Sequence, residues 1–238
     1  MAETPCTMGI MSKLFILHGW TYQSETWKPL VALLEKRGFD VEFLKIPGLT
    51  DGTNPMWTLD DYVQWLKEKT AAEEKVVLLG HSYGGRISLA FAAKYPEKVA
   101  RLILEDSAGI PPRGLRRLKR DVFKIIAKIG HTIIRSERMR DLLYKLARES
   151  DYRKATPEMR KTMANMLSVD ISLILDHVEA PTLIIWGAHD RTTPLADGEL
   201  IHRGIRGSKM IVLPDARHSP HITHAQKVAD IITAELQQ

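Results

Sequence analysis

Apolar residues along this chain fall into two alternating regimes. Short β-branched or leucine-rich runs occur at Lys13 to His18, Val41 to Ile46, Lys75 to Gly80, Val99 to Glu105, Thr182 to Trp186 and Lys209 to Leu213. Their nearly continuous apolar character predicts six strands, all of them buried. Between them, Trp27 to Arg37, Leu59 to Lys69, Arg86 to Tyr95, Leu195 to Ile205 and Thr223 to Leu236 carry apolar positions at helical spacing. Strands that alternate with amphipathic helices build a mostly parallel sheet of about six strands with helices on both faces, an α/β fold. In such a sheet, functional groups gather beyond the C-terminal ends of the strands.

The alternation breaks once, from Ser107 to Ala180. That division gives a core made of 12–106 and 181–238, and a helical cap, 107–180, inserted before the strand at Thr182. Within the cap, Leu115, Leu118, Val122, Ile125 or Ile126, and Ile129 form one helical stripe, and Leu142, Leu143 and Leu146 continue a second. Thr156-Pro157 reads as an N-cap followed by proline at the first helical position, starting a helix that carries Met159, Met163 and Met166. These methionines have two compatible readings: they pack the cap onto the core, and they line a substrate pocket, where flexible, polarizable side chains suit an acyl chain or an aromatic ring.

Charge adds a feature that periodicity does not show. The net charge is +5, yet Pro111 to Lys161 holds 16 Lys and Arg against 6 Asp and Glu, so the rest of the chain is slightly acidic. The plain reading of this basic cap is a solvated helical surface; the alternatives are attraction of anionic substrates or contact with an anionic membrane surface. Nucleic acid is not the expected partner, because the arginines accompany no recognition motif. No run of about 18 apolar residues could span a bilayer, and the first residues lack the pattern of a secretory signal, so the expected location is the cytoplasm. Cys6 is the only cysteine, which leaves no thiol pair for a disulfide or a metal site. Residues 1–11 read as a loose leader.

Chemistry concentrates where Val76-Val77-Leu78-Leu79 runs into Gly80-His81-Ser82-Tyr83-Gly84-Gly85. This is strand, sharp turn, helix, and composition alone would give about 0.04 chance matches to such a Gly-x-Ser-x-Gly pattern. A serine at the tip of that turn is exposed for attack, and the residues two before and two after it must be small where strand and helix converge.

With these motifs in place, the chain resembles the α/β-hydrolase family, in its serine esterase or lipase-like branch, from Leu14 to the last helix. The resemblance implies Ser82 as nucleophile. It also implies an oxyanion hole made by the backbone N–H groups of Trp20, after His18-Gly19, and Tyr83. The family order of serine, acid, histidine points to a base among His218, His221 and His224. His218 is preferred because it follows the strand ending at Leu213 on a loop facing the site. Ser219-Pro220 reads as an N-cap and first helical residue, which puts His221 and His224 on one face of the next helix as structural residues, and zinc-ligand spacing is absent. The implied acid is Asp190, with Asp106 as competitor; His81 and His189 are read as structural neighbours. Serine at position 82 sets the chain apart from dehalogenases and epoxide hydrolases of this fold, which place Asp there.

The implied function is hydrolysis of a small-molecule carboxylic ester through an acyl-enzyme, without cofactor or metal. The same Ser-His-Asp set serves C–C cleavage of a vinylogous diketone or hydrolysis of a lactone, and some proteins of this fold are small-molecule sensors with little turnover.

Overall fold

The apolar runs become strands because both of their faces are covered. The computed structural model describes residues 12–20, 24–49, 56–111 and 156–237. Its strands are β1 (Leu14–Leu17), β2 (Val41–Leu44), β3 (Val76–His81), β4 (Val99–Glu105), β5 (Thr182–Gly187) and β6 (Lys209–Leu213). They form one sheet in the order β2-β1-β3-β4-β5-β6, with every neighbouring pair parallel. Alternate residues serve opposite layers. Phe15, Leu17, Leu78, Leu102, Leu104, Ile184 and Trp186 belong to one buried cluster, while Leu14, Ile16, Val77, Leu79, Ile103, Leu183 and Ile185 belong to the other. Burying a side chain such as Leu17, which is fully enclosed, contributes roughly 1.5–3 kcal/mol.

The helices among the described residues are α1 (Ser24–Lys36), α2 (Leu59–Lys69), α3 (Tyr83–Lys94), α4 (Pro157–Ser168), α5 (Leu195–Gly204), the four-residue α6 (Pro220–Thr223) and α7 (Ala225–Leu236). No helix among the described residues is long and apolar enough to cross a membrane. α2, α3 and α5 cover the first layer, whereas α1 and α7 cover the second. The chain leaves β1 toward β2 and returns to β3 on the other side, so the sheet reverses direction at β1/β3, where ligand crevices form in such sheets.

The six strands are not all buried: β2 is half-buried along most of its length, and in β6 Ile211 and Val212 are 37% and 40% exposed. The two strands sit at the edges of the sheet, where helices cover them incompletely.

Where the sequence leads one to expect a cap, residues 112–155 lie outside the described set, and with them the stripes from Leu115 to Ile129 and from Leu142 to Leu146. Cys6 and the rest of 1–11 lie outside it as well. The part from 156 onward begins as the sequence indicates. The Thr156 hydroxyl accepts the N–H of Met159 at 3.3 Å, and Pro157 occupies the first helical position. Met166 is 1% exposed and packs into the first core layer; Met159 and Met163 are half-buried. The α4 end is tied to α3 by Arg86, a buried guanidinium that donates to the carbonyls of Met166 and Val169.

The close approach of α3 to β1 is the contact that positions the site. A Cβ at Gly84 would lie 2.2 Å from the carbonyl oxygen of Leu17 and 2.7 Å from that of His18. Both obstacles are backbone, so Gly84→Ala should cost about 3 kcal/mol or more. Urea unfolding measures this directly, and a stability within about 0.5 kcal/mol of the parent would contradict it.

Candidate active site

Ser82 lies between the last residue of β3 and the first of α3, with φ 50° and ψ −111°. A non-glycine residue with positive φ is strained, and it persists only where the surroundings enforce it. Here they do. The Ser82 N–H donates to the Glu105 carbonyl at 3.1 Å, and its own carbonyl accepts the N–H of Ala108 at 2.9 Å and of Arg86 at 3.2 Å. Gly80 and Gly85 meet across the turn, since a Cβ at Gly80 would stand 2.6 Å from the Gly85 Cα.

The loop after β1 is held beside this turn. Gly84 N–H donates to the His18 carbonyl at 3.0 Å, and Trp20 packs edge-on against the Tyr83 ring at 5.4 Å between centroids. His18 is fully buried. Its Nε2 accepts the Ile46 N–H at 3.3 Å, which fixes the tautomer so that Nδ1–H donates to the Gly19 carbonyl at 2.7 Å. Among the described residues, the backbone N–H groups of Trp20 and Tyr83 have no backbone acceptor. Tyr83 is moreover the first residue of α3, where the helix dipole favours an anion.

The histidine and carboxylate sites converge beyond β5 and β6. His218 Nδ1–H donates to Asp190 Oδ2 at 2.7 Å. Asp190, 6% exposed, also accepts the N–H groups of Thr192 at 2.7 Å and Thr193 at 3.1 Å, and the Thr193 hydroxyl at 2.6 Å. Burial pushes its carboxyl upward, but the His218 bond and charge together with the threonine donors outweigh this and hold it below the usual range.

Asp106 takes a different place. Its Oδ1 accepts the Gly187 N–H at 2.9 Å and its Oδ2 the Ser219 N–H at 3.0 Å, so it ties the end of β5 to the turn carrying His218. Burial and the neighbouring Glu105 charge push its carboxyl up to about 7.

The three late histidines do not act as one group. Ser219, at φ 97°, makes no side-chain cap, and α6 ends at His224, which caps the separate helix α7. His221 and His224 therefore do not share a helix face. His221 is 2% exposed and bonded to Glu105, whereas His224 is half-buried and contacts the Thr223 hydroxyl at 2.7 Å. His189 is exposed.

Two sets of donor atoms lie within 4.8 Å of one another, Asp106 with Asp190 and His218, and His81 with Glu105 and His221. In each set one acid–histidine pair is bonded, and the third member is held by groups outside the set: Asp106 by the Gly187 and Ser219 N–H groups, His81 by the Glu105 carbonyl and the Ser219 hydroxyl.

Thr193 and the Glu105–His221 pair escaped the sequence reading. An acid followed by threonines two and three residues on is the pattern of a side chain capping its own loop, which would have pointed to Thr193. A glutamate ending a buried strand would have signalled a buried partner for Glu105.

The chain belongs to the alpha/beta hydrolase fold family, whose model matches residues 14–225. Among curated relatives, it is 29% identical over 240 residues to a pimeloyl-[acyl-carrier protein] methyl ester esterase of Aeromonas hydrophila subsp. hydrophila, spanning 92% of this chain and 93% of that protein. Among solved structures, an esterase from Exiguobacterium antarcticum superposes with a TM-score of 0.75 at 18% identity, over 95% of this chain and 92% of the other. An enol-lactonase from Burkholderia xenovorans LB400 gives 0.72 at 19%, over 98% and 94%. At those identities the two structures speak to the fold alone.

Burial holds the His18 imidazole down at about 4, against the pull of its bond to Gly19. An unfolded histidine takes up its proton near 6.5, so the native state loses stability as pH falls from about 6.5 to about 4, by about 3 kcal/mol in total. In His18→Gln, the drop in unfolding free energy between pH 7 and pH 4 should be smaller by about that amount. Equal drops in the two proteins would contradict the assignment.

Proposed function

We propose that the protein is a carboxylic ester hydrolase working through an acyl-enzyme, with Ser82 as nucleophile, His218 as general base and Asp190 as the residue that orients it. The observation that carries this reading is the 2.7 Å bond from His218 Nδ1 to a buried, ionised Asp190, in a fold that presents Ser82 on a strained turn. With Nδ1–H committed to Asp190, Nε2 is left with the lone pair that a base needs.

Ser82 Oγ attacks the acyl carbon as His218 Nε2 takes its proton. The oxygen of the resulting tetrahedral adduct gains a negative charge beside the N–H groups of Trp20 and Tyr83. Collapse breaks the ester bond and the alcohol leaves with the proton from His218. Water, deprotonated by the same nitrogen, then attacks the acyl-enzyme, and the acid departs as Ser82 recovers its proton.

The Aeromonas relative is an esterase of a pimeloyl-[acyl-carrier protein] methyl ester, and methyl is the leaving group we propose to test first. Half-buried Met159 and Met163 are proposed to line the acyl side of the pocket; Met166 serves the core.

The decisive assay is hydrolysis by purified protein of methyl esters of graded acyl length, with a lactone and a vinylogous diketone alongside. Esters should turn over. Ser82→Ala and His218→Ala should lose at least about 10⁴-fold in kcat, and Asp190→Asn about 10²–10⁴-fold. Undiminished hydrolysis by Ser82→Ala would overturn the reading, and turnover of the diketone alone would move it to C–C hydrolysis.

The basic segment Pro111 to Lys161 is proposed to draw anionic esters toward the site. Raising the ionic strength from about 0.02 to about 0.5 M should then lower kcat/KM for an anionic ester several-fold and leave a neutral one unaffected. Equal responses would count against steering.

A further inference from the structure

Beneath the turn that carries His218 lies a buried acid–histidine pair that no step of the proposed hydrolysis uses. Glu105, the last residue of β4, is fully enclosed, and its two carboxylate oxygens both serve His221: one accepts the backbone N–H at 2.5 Å, the other Nδ1–H at 3.0 Å. The His221 ring is stacked on Trp27 of α1, with 3.7 Å between centroids and 12° between planes. These contacts, from β4 and α1, hold the main chain and the ring of the residue three positions after His218.

A second tie runs through His81, the residue before Ser82. Its Nδ1–H donates to the Glu105 carbonyl at 3.1 Å, so Nε2 accepts the Ser219 hydroxyl at 3.2 Å. Its ring lies 4.8 Å from that of His218 and 4.8 Å from that of His221. Burial, with the neighbouring His221 and His218, holds the His81 imidazole well below its ordinary range, which preserves the lone pair that Ser219 needs.

We propose that Glu105 and His221, together with the His81–Ser219 bond, form a positioning clamp that sets the His218 imidazole against Asp190 and Ser82. Apart from the clamp, the side-chain holds on this turn among the described residues are the Asp190 and Thr193 contacts to the His218 ring, and Asp106, which accepts the Ser219 N–H. A base misplaced by about 1 Å costs about a hundredfold in rate while leaving substrate binding intact. The inference rests on the reading of His218 as general base.

The test compares the parent with His221→Phe, Ser219→Ala and Ser82→Ala on p-nitrophenyl acetate, well below each melting temperature. His221→Phe keeps a flat ring against Trp27 and the backbone N–H bond to Glu105, and removes the ring's bond to Glu105. Its kcat should fall about 10- to 100-fold with KM within about twofold, and the downfield proton resonance of the His218–Asp190 bond should broaden or vanish. If it keeps the parent's kcat and resonance, and only its melting temperature falls, the pair is structural and the clamp is overturned, while a dead Ser82→Ala leaves the hydrolase reading standing. If Ser82→Ala is as active as the parent, the hydrolase reading fails and the clamp with it. Should His221→Phe not fold, Ser219→Ala decides by the same two readouts, since it removes a single hydroxyl: a kcat loss of about threefold or more with a weakened resonance supports the clamp, and parent-like values overturn it.

Discussion

Everything at this site depends on how closely α3 approaches the end of β1. The contact is backbone against backbone: the Gly84 N–H bonds to the His18 carbonyl, and no side chain fits between Gly84 and Leu17. That approach forces the chain to reverse within one residue, which is why Ser82 carries a positive φ. It also brings the first N–H of α3 beside the loop bearing Gly19 and Trp20. Candidate nucleophile and candidate oxyanion donors are thus consequences of one packing constraint, not separately arranged features.

A second constraint is electrostatic. Glu105, Asp106 and Asp190 crowd the ends of β4 and β5, all three nearly or wholly buried. Burying carboxylates is costly unless each is paired, and each has a different solution. Glu105 is matched by His221 and Asp190 by His218, while Asp106, whose donors among the described residues are two backbone N–H groups, is driven up to about 7. The acid with a histidine partner and two threonine donors is the one suited to remain ionised beneath the proposed base. This distinguishes Asp190 from Asp106 on physical grounds.

Much of this was legible in the sequence because local pattern and global fold agree. Continuous apolar runs marked the strands, Thr156-Pro157 marked the start of α4, and glycines marked the turn around Ser82. What was not legible depends on tertiary packing. Edge and central strands share the same apolar pattern, so the exposure of Ile211 and Val212 could not be foreseen. Ser219-Pro220 has the composition of an ordinary helix start, yet the Ser219 hydroxyl faces His81 and the helix stops after one turn. His221 read as a structural residue, but its partner could not be named, because nothing nearby in sequence announces Glu105, 116 residues away.

On the proposed reading, the strained turn presents Ser82 to an acyl group beside two backbone donors. A crystal structure of the protein after reaction with a fluorophosphonate tests it most directly, because the phosphonyl oxygen mimics the charged oxygen of the tetrahedral adduct. The expected result is a covalent bond to Ser82 Oγ, with that oxygen within about 3 Å of the N–H groups of both Trp20 and Tyr83. Absence of reaction, attachment to another residue, or a phosphonyl oxygen turned to solvent would contradict it.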